Sequence, residues 1–297
     1  MKQVKKRRWV TVVVVLLALF VLAIFFSGLI SLASGAGRGA GNVAIVPIKG
    51  VILTSGGGFM QGAAVSGEIV QQIEDADANP DIRAILLEID SPGGAPVASN
   101  EIATAIGRTN KTTVAWIRES GTSGAYWIAS ATDYIVADPL SITGSIGVIG
   151  SYLDFSGLLT DFNVSYERLV GGQYKDVGVP YRKLSAEEKR YLQKKIDLMH
   201  GVFKDAVAKN RHLSRSEIDV LATGEFFLGM EAKNVRLVDE LGGKREALGY
   251  VERTLNMTAV PVVYERESSL IESILSSVES KFGAPKVQVS GMKATLQ

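Results

Sequence analysis

From Val43 onward, short β-like apolar runs alternate with helical periods, and this alternation constrains the fold more than any other feature of the chain. Val43 to Leu53 reads as a strand, Val65, Ile69, Ile73 and Ala76 share a helix face, and Ala84 to Ile89 reads as a buried strand. Ala98, Ile102 and Ala105 mark a second helix, and strands recur at Thr113 to Ile117 and Tyr134 to Ala137. Strands alternating with helices suggest βαβ units, so the pattern predicts an α/β layout with a largely parallel sheet.

The N-terminus follows a different logic. Lys2, Lys5, Lys6, Arg7 and Arg8 precede an uncharged run from Trp9 to Gly37 that is dense in Val, Leu, Ile and Phe. A helix needs about 20 apolar residues to cross the hydrocarbon layer, and this run exceeds that without a proline. A cleaved secretory signal has an apolar core of about 7–15 residues, so the reading adopted is a retained anchor, although Ala33-Ser34-Gly35-Ala36 has the small residues of a cleavage site. The expected division is a basic cytoplasmic segment 1–8, a transmembrane helix 9–33, a glycine-rich tether 34–42 and a catalytic domain 43–297. The basic flank predicts a cell-membrane protein with a cytoplasmic N-terminus and the catalytic domain outside.

Composition removes several classes of chemistry. The chain has no cysteine, which excludes disulfides, thiolate catalysis and cysteine-ligated zinc, and its two histidines, His200 and His212, lack metal-ligand spacing. No metal or other cofactor is expected. The five N-terminal cations conceal an acidic remainder without a basic face, so nucleic acid is not an expected partner. The Gly-x-Gly pattern near Gly35 to Gly41 follows no strand and precedes no helix, and fails the context of a dinucleotide fingerprint.

Ser123 stands out as a nucleophile. It lies in Gly121-Thr122-Ser123-Gly124-Ala125-Tyr126, ahead of a helix-forming run, where free backbone N–H groups at a helix start favour a developing oxyanion. The histidines lie in or just past a long helical stretch and read as structural or solvated. A lysine serves as base if an apolar pocket lowers its pKa, and Lys175 in Gly172-Gln173-Tyr174-Lys175-Asp176 is the candidate. Asp176 opposes that lowering unless the two neighbours point to opposite sides of an extended segment.

Taken in order, Asp90-Ser91-Pro92-Gly93-Gly94, Thr122-Ser123-Gly124-Ala125-Tyr126-Trp127, Thr143-Gly144-Ser145-Ile146-Gly147 and Tyr174-Lys175-Asp176 resemble the signal peptide peptidase A family. Thr223-Gly224-Glu225 and Ala232-Lys233 through Val238-Asp239-Glu240-Leu241-Gly242-Gly243 continue the likeness, which runs from about Val43 to Arg253. The resemblance implies a crotonase- or Clp protease-like α/β fold with repeated ββα units. It implies a serine–lysine dyad at Ser123 and Lys175, with cleaved signal peptides and other unstructured apolar segments as substrates. It also implies a homo-oligomeric ring, often of eight subunits in short forms, with a dyad formed within or between chains.

Both the Ser91–Gly94 and Gly121–Ser123 loops fall at the carboxyl ends of strands, where reactive groups gather in such sheets. This assigns the oxyanion hole to the amides of Gly94 and Gly124, in keeping with the resemblance. Ser145 is a candidate for orienting the lysine, or belongs to the turn alone. Ser185-Ala186-Glu187-Glu188 is a capping box that opens a helix carrying Leu192, Ile196, Met199, Phe203 and Val207. Leu270 to Phe282 reads as a final amphipathic helix. Alternative readings are a related membrane-bound serine–lysine protease that cuts stomatin-like partners, a Ser-His hydrolase, and an inactive crotonase-fold scaffold.

Overall fold

The computed structural model describes residues 14–24, 26, 41–55 and 62–264. Helix α1 occupies residues 14–24 with exposed side chains. The rest of the expected span 9–33, and the helix expected at Leu270 to Phe282, lie outside the described residues. Among the described residues no helix is long and apolar enough to cross a membrane.

Strands β1 (Val43–Lys49), β4 (Ala84–Ser91), β5 (Thr112–Thr122), β6 (Tyr134–Ala137), β9 (Glu240–Leu241) and β10 (Pro261–Val263) form a sheet in the order β10-β1-β4-β5-β6-β9. Every neighbouring pair in that order is parallel. The expected strand from Val43 to Leu53 breaks at Gly50, where φ is +74° and a side chain would meet the Gly62 carbonyl. Beyond the break, β2 (Ile52–Leu53) pairs with β3 (Ala64–Val65) as a separate two-stranded sheet.

The alternation of side chains along a strand explains why these runs carry apolar residues in both registers. Ala44, Val46 and Ile48 of β1, with Ile85, Leu87 and Ile89 of β4, face one side, in a core shared with helices α2 (Ser66–Ala78), α3 (Pro96–Ile106) and α4 (Gly124–Ser130). Val43, Ile45, Ala84, Leu86, Val114 and Val136 face the other side and pack against Ala247 and Val251 of α9 (Lys244–Leu255). A parallel sheet covered on both faces needs apolar residues in both registers. Tyr134 stacks on Tyr250 with ring centroids 3.8 Å apart, tying β6 to α9.

The carboxyl end of β5 runs past its covered part. Its last residues, Ser120 to Thr122, pair in parallel with β7 (Ile142–Gly144), which pairs antiparallel with β8 (Phe226–Leu228). Helix α6 (Ala186–Asn210) opens on the expected capping box, Ser185 with Glu188. Of its apolar stripe only Phe203 and Val207 are buried, so its N-terminal half stands away from the core. Between β7 and α6 the chain forms a long excursion, residues 149–183, that includes α5 (Ser156–Asp161). In it the one buried residue is Asp176.

Candidate active site

Two strand ends build the site. At the end of β4, buried Ser91 accepts the Gly93 amide through Oγ at 3.1 Å, turning the chain out of the sheet. Gly93 sits at φ +95°, where a side chain would come 2.7 Å from the Gly124 nitrogen and 2.9 Å from the Ser123 Cβ. Glycine is therefore required by conformation and by space. The Ile52 backbone then holds the next residues, with its amide on the Gly93 carbonyl at 2.9 Å and its carbonyl on the Ala95 amide at 2.8 Å. Gly94 lies between these bonds, and its amide joins no hydrogen bond among the described residues.

At the end of β5 the chain turns sharply into α4, and Ser123 occupies the turn. Its φ of 54° and ψ of −123° lie in the region that favours glycine, a strain of about 1–3 kcal/mol for another residue. The Ser123 amide donates to the Gly144 carbonyl at 2.8 Å and its carbonyl accepts from the Trp127 amide at 3.0 Å, while its side chain caps nothing. A half-buried hydroxyl is thus left uncommitted at the head of a helix. This is the geometry of a nucleophile on a strained strand-to-helix turn.

Gly124 opens α4, so its amide has no partner within the helix. The Gly94 nitrogen lies 3.3 Å from where a Gly124 side chain would begin, and the buried Ser99 Oγ lies 2.2 Å from that point. Ser123, Gly94 and Gly124 are thereby brought together: a hydroxyl beside two unengaged amides. Such donors stabilise an oxyanion because they are in place before charge develops.

The residues around this centre are scaffolding. All of α4 is buried. Tyr126 donates to the Leu237 carbonyl at 2.9 Å, and burial pushes its phenol pKa well above the usual value. Trp127 stacks on Phe203 at 5.0 Å, which makes it part of the core. In the Val238–Gly243 stretch, Asp239 accepts the Ile135 amide at 2.8 Å and two hydrogen bonds from Arg211 at 2.7 and 2.9 Å. These contacts fasten the end of α6 to β6.

Ser145, at φ 49°, donates through Oγ to the Gly224 carbonyl at 3.3 Å and through its amide to the Glu225 carbonyl at 2.9 Å. Both bonds join this turn to the segment around Gly224. His200 bonds the neighbouring Ile146 carbonyl through Nε2 at 3.2 Å, and His212 is exposed, so both histidines stand as structural and solvated groups.

Lys175 is exposed in the 149–183 excursion, and no hydrogen bond joins it to Ser123 among the described residues. The segment around it is a series of turns, with Lys175 N on the Gly172 carbonyl at 3.2 Å. The inward-facing neighbour is Asp176, opposite to what an extended segment with a buried lysine requires. Asp176 takes two hydrogen bonds from Arg168, at 2.7 and 2.8 Å, and one from Arg182 at 3.0 Å. Hydrogen bonds from Arg168 and then Arg182 hold its carboxyl far below the usual range. Sequence reasoning missed this clamp, and also the hydrogen bond by which Ser91 shapes its motif and the roles of Ile52 and Ser99, which lie outside any motif.

Residues 105–258 match the model of peptidase family S49. The chain belongs to this family. A parallel-rich α/β sheet with the serine at a strand end fits the crotonase- and Clp protease-like fold of S49 peptidases. Among its relatives, a protein of Methanocaldococcus jannaschii named as a protease is 35% identical over 196 residues, which is 65% of this chain and 63% of that protein. A protein of Enterococcus faecium named as a signal peptide peptidase is 30% identical over 266 residues, 87% of this chain and 76% of that one. Protease 4 of Haemophilus influenzae is 27% identical over 266 residues, 86% of this chain and 43% of its own length. The chain thus spans less than two thirds of the first and third of these S49 relatives.

Proposed function

We propose that this S49 chain is a membrane-anchored serine endopeptidase with Ser123 as nucleophile and Lys175 as general base, degrading cleaved signal peptides and other unstructured apolar peptides. The observation that carries the reading is the strained Ser123 turn beside the free amides of Gly94 and Gly124. The neutral lysine takes the Ser123 proton as Oγ attacks the peptide carbonyl. The resulting oxyanion rests on the two amides, and the ammonium protonates the departing amine. The acyl-serine ester is then hydrolysed by a water that gives its proton to the same lysine.

A lysine acts as base near neutral pH only when desolvated, and Lys175 is exposed in the single chain. The reading therefore requires a second copy of the chain to cover it, as in a homo-oligomeric ring whose dyads join serine and lysine within or between subunits. Support comes from apolar side chains left in solvent on the same excursion, with Ile149 93% exposed and Leu169 96% exposed. Membrane attachment through 9–33, with the N-terminus cytoplasmic and the catalytic domain outside, rests on the uncharged run and its basic flank.

The test is turnover of an unstructured apolar peptide by the full-length protein, together with labelling of Ser123 by an acylating probe. Ser123→Ala abolishes both, and Lys175→Ala abolishes turnover while the fold is retained. Turnover unaffected by either substitution would overturn the reading.

A further inference from the structure

We infer that Asp176 is the positioning residue for Lys175, holding the lysine loop in one pose through an ion-pair cluster with Arg168, Arg182 and Glu188. The inference rests on the dyad reading proposed above.

Residues 149–183 have no apolar core of their own, since Asp176 is their one buried residue. A buried carboxylate is costly unless it is paired and hydrogen-bonded. Here the pairing is extended into a chain. Arg168 grips both oxygens of Asp176, Arg182 bonds Asp176 through Nε, and the two terminal nitrogens of Arg182 reach both oxygens of Glu188, one of them at 2.9 Å. Glu188 also accepts the Ser185 amide at 2.8 Å, closing the capping box of α6. The lysine loop is thus keyed to the first turn of a long helix.

The other side of Lys175 is pinned to the same turn. Tyr174 donates its hydroxyl to Glu187 at 2.6 Å and stacks on Tyr191 at 4.6 Å, and Gln173 donates to Glu187 at 3.1 Å. Lys175 therefore stands between two anchored neighbours, while its own amine has no hydrogen-bond or ion-pair partner among the described residues. A flexible lysine works as a base only if its stem starts from a fixed place, because a misplacement of about 1 Å can cost about 10²-fold in rate. Asp176 fixes that place whichever copy of the chain supplies the serine.

The experiment measures the rate at which an activated p-nitrophenyl ester acylates Ser123 in the full-length protein, from the burst of nitrophenol, with Ser123→Ala as blank. Asp176→Asn is expected to slow acylation by about 10–100-fold, with KM for the ester nearly unchanged. Arg168→Lys, which keeps the charge and loses the two-pronged grip, slows it by a smaller factor. In a Lys175→Ala background Asp176→Asn adds nothing, because the group it positions is gone. Wild-type acylation in Asp176→Asn, or equal slowing with and without Lys175, overturns the inference while leaving the dyad standing. Wild-type acylation in Lys175→Ala overturns the dyad itself, and the inference with it. If Asp176→Asn does not fold, Arg168→Lys carries the same comparison in both backgrounds.

Discussion

Ser123 gives its amide proton to the Gly144 carbonyl at 2.8 Å, so the head of α4 and the turn after β7 form one unit. That unit continues through Ser145 to Gly224 and Glu225, and through Ile146 to His200. The Ser123 amide and carbonyl are both engaged, while its hydroxyl is uncommitted.

The strained Ser123 backbone predicts a stability gain when this serine is replaced by glycine. Relief of about 1–3 kcal/mol of strain exceeds the roughly 0.5–1 kcal/mol entropic cost of glycine. Ser123→Gly should melt a few degrees above Ser123→Ala by calorimetry, and both should lack activity. A lower melting temperature for the glycine variant would contradict the strain assignment.

Gly94 and Gly124 should differ in how far they can be rescued. A side chain on Gly94 would meet the Ile52 backbone carbonyl at 2.0 Å, whereas one on Gly124 meets the Ser99 Oγ at 2.2 Å. Gly94→Ala must move backbone, and loss of an oxyanion donor costs about 10²–10³ in kcat. Gly124→Ala should regain part of its activity and stability when combined with Ser99→Gly, and no such partner should rescue Gly94→Ala. Peptide turnover of Gly94→Ala and Gly124→Ala, each with and without Ser99→Gly, decides this.

Arg211 is 8% exposed and pairs through both terminal nitrogens with Asp239. Its removal leaves that carboxylate with the Ile135 amide as its remaining strong partner. Arg211→Ala should destabilise the protein by about 3 kcal/mol in urea unfolding. Tyr126→Phe, which frees the Leu237 carbonyl, should cost about 1 kcal/mol.

The ion-pair cluster should be sensitive to acid. Hydrogen bonds from Arg182 lower the Glu188 carboxyl from its ordinary 4.5 to about 2, and Asp176 is lowered further still. A depressed carboxylate contributes stability that is present above its unfolded pKa and lost as pH falls through the folded value. The excursion 149–183 should therefore stay resistant to limited proteolysis at pH 5 and become cleavable as pH approaches 2. In Glu188→Gln the onset should move to higher pH, and unchanged resistance in that variant would remove Glu188 from the cluster.

Mixing inactive Ser123→Ala and Lys175→Ala chains tests whether subunits share a dyad. Recovered peptide turnover in the mixture, after co-refolding, is the outcome expected if Lys175 serves a neighbour's serine. Absence of recovery places both groups within one chain.

Much of the central sheet was legible because both registers are apolar over Val43 to Val46 of β1 and Ala84 to Leu87 of β4, a pattern that a strand covered on two faces requires. The polar tail of β5, with Arg118, Glu119 and Ser120, was not legible, since it leaves the covered sheet and is held by pairing with β7. Leu192, Ile196 and Met199 of α6 keep helical spacing yet are not buried, because periodicity records a stripe without stating what lies against it.

The sequence by itself determined that the chain alternates strand and helix, and that Ser123 sits among small residues ahead of a helix, because these are local properties of side-chain period and backbone propensity. Tertiary structure alone decided that Gly94 and Gly124 present adjacent amides, that Ser99 and Ile52 leave no room for their side chains, and that Asp176 turns inward while Lys175 turns out. The reason is physical: these depend on groups distant along the chain, and whether a charge is buried follows from the partners brought to it, here Arg168 and Arg182.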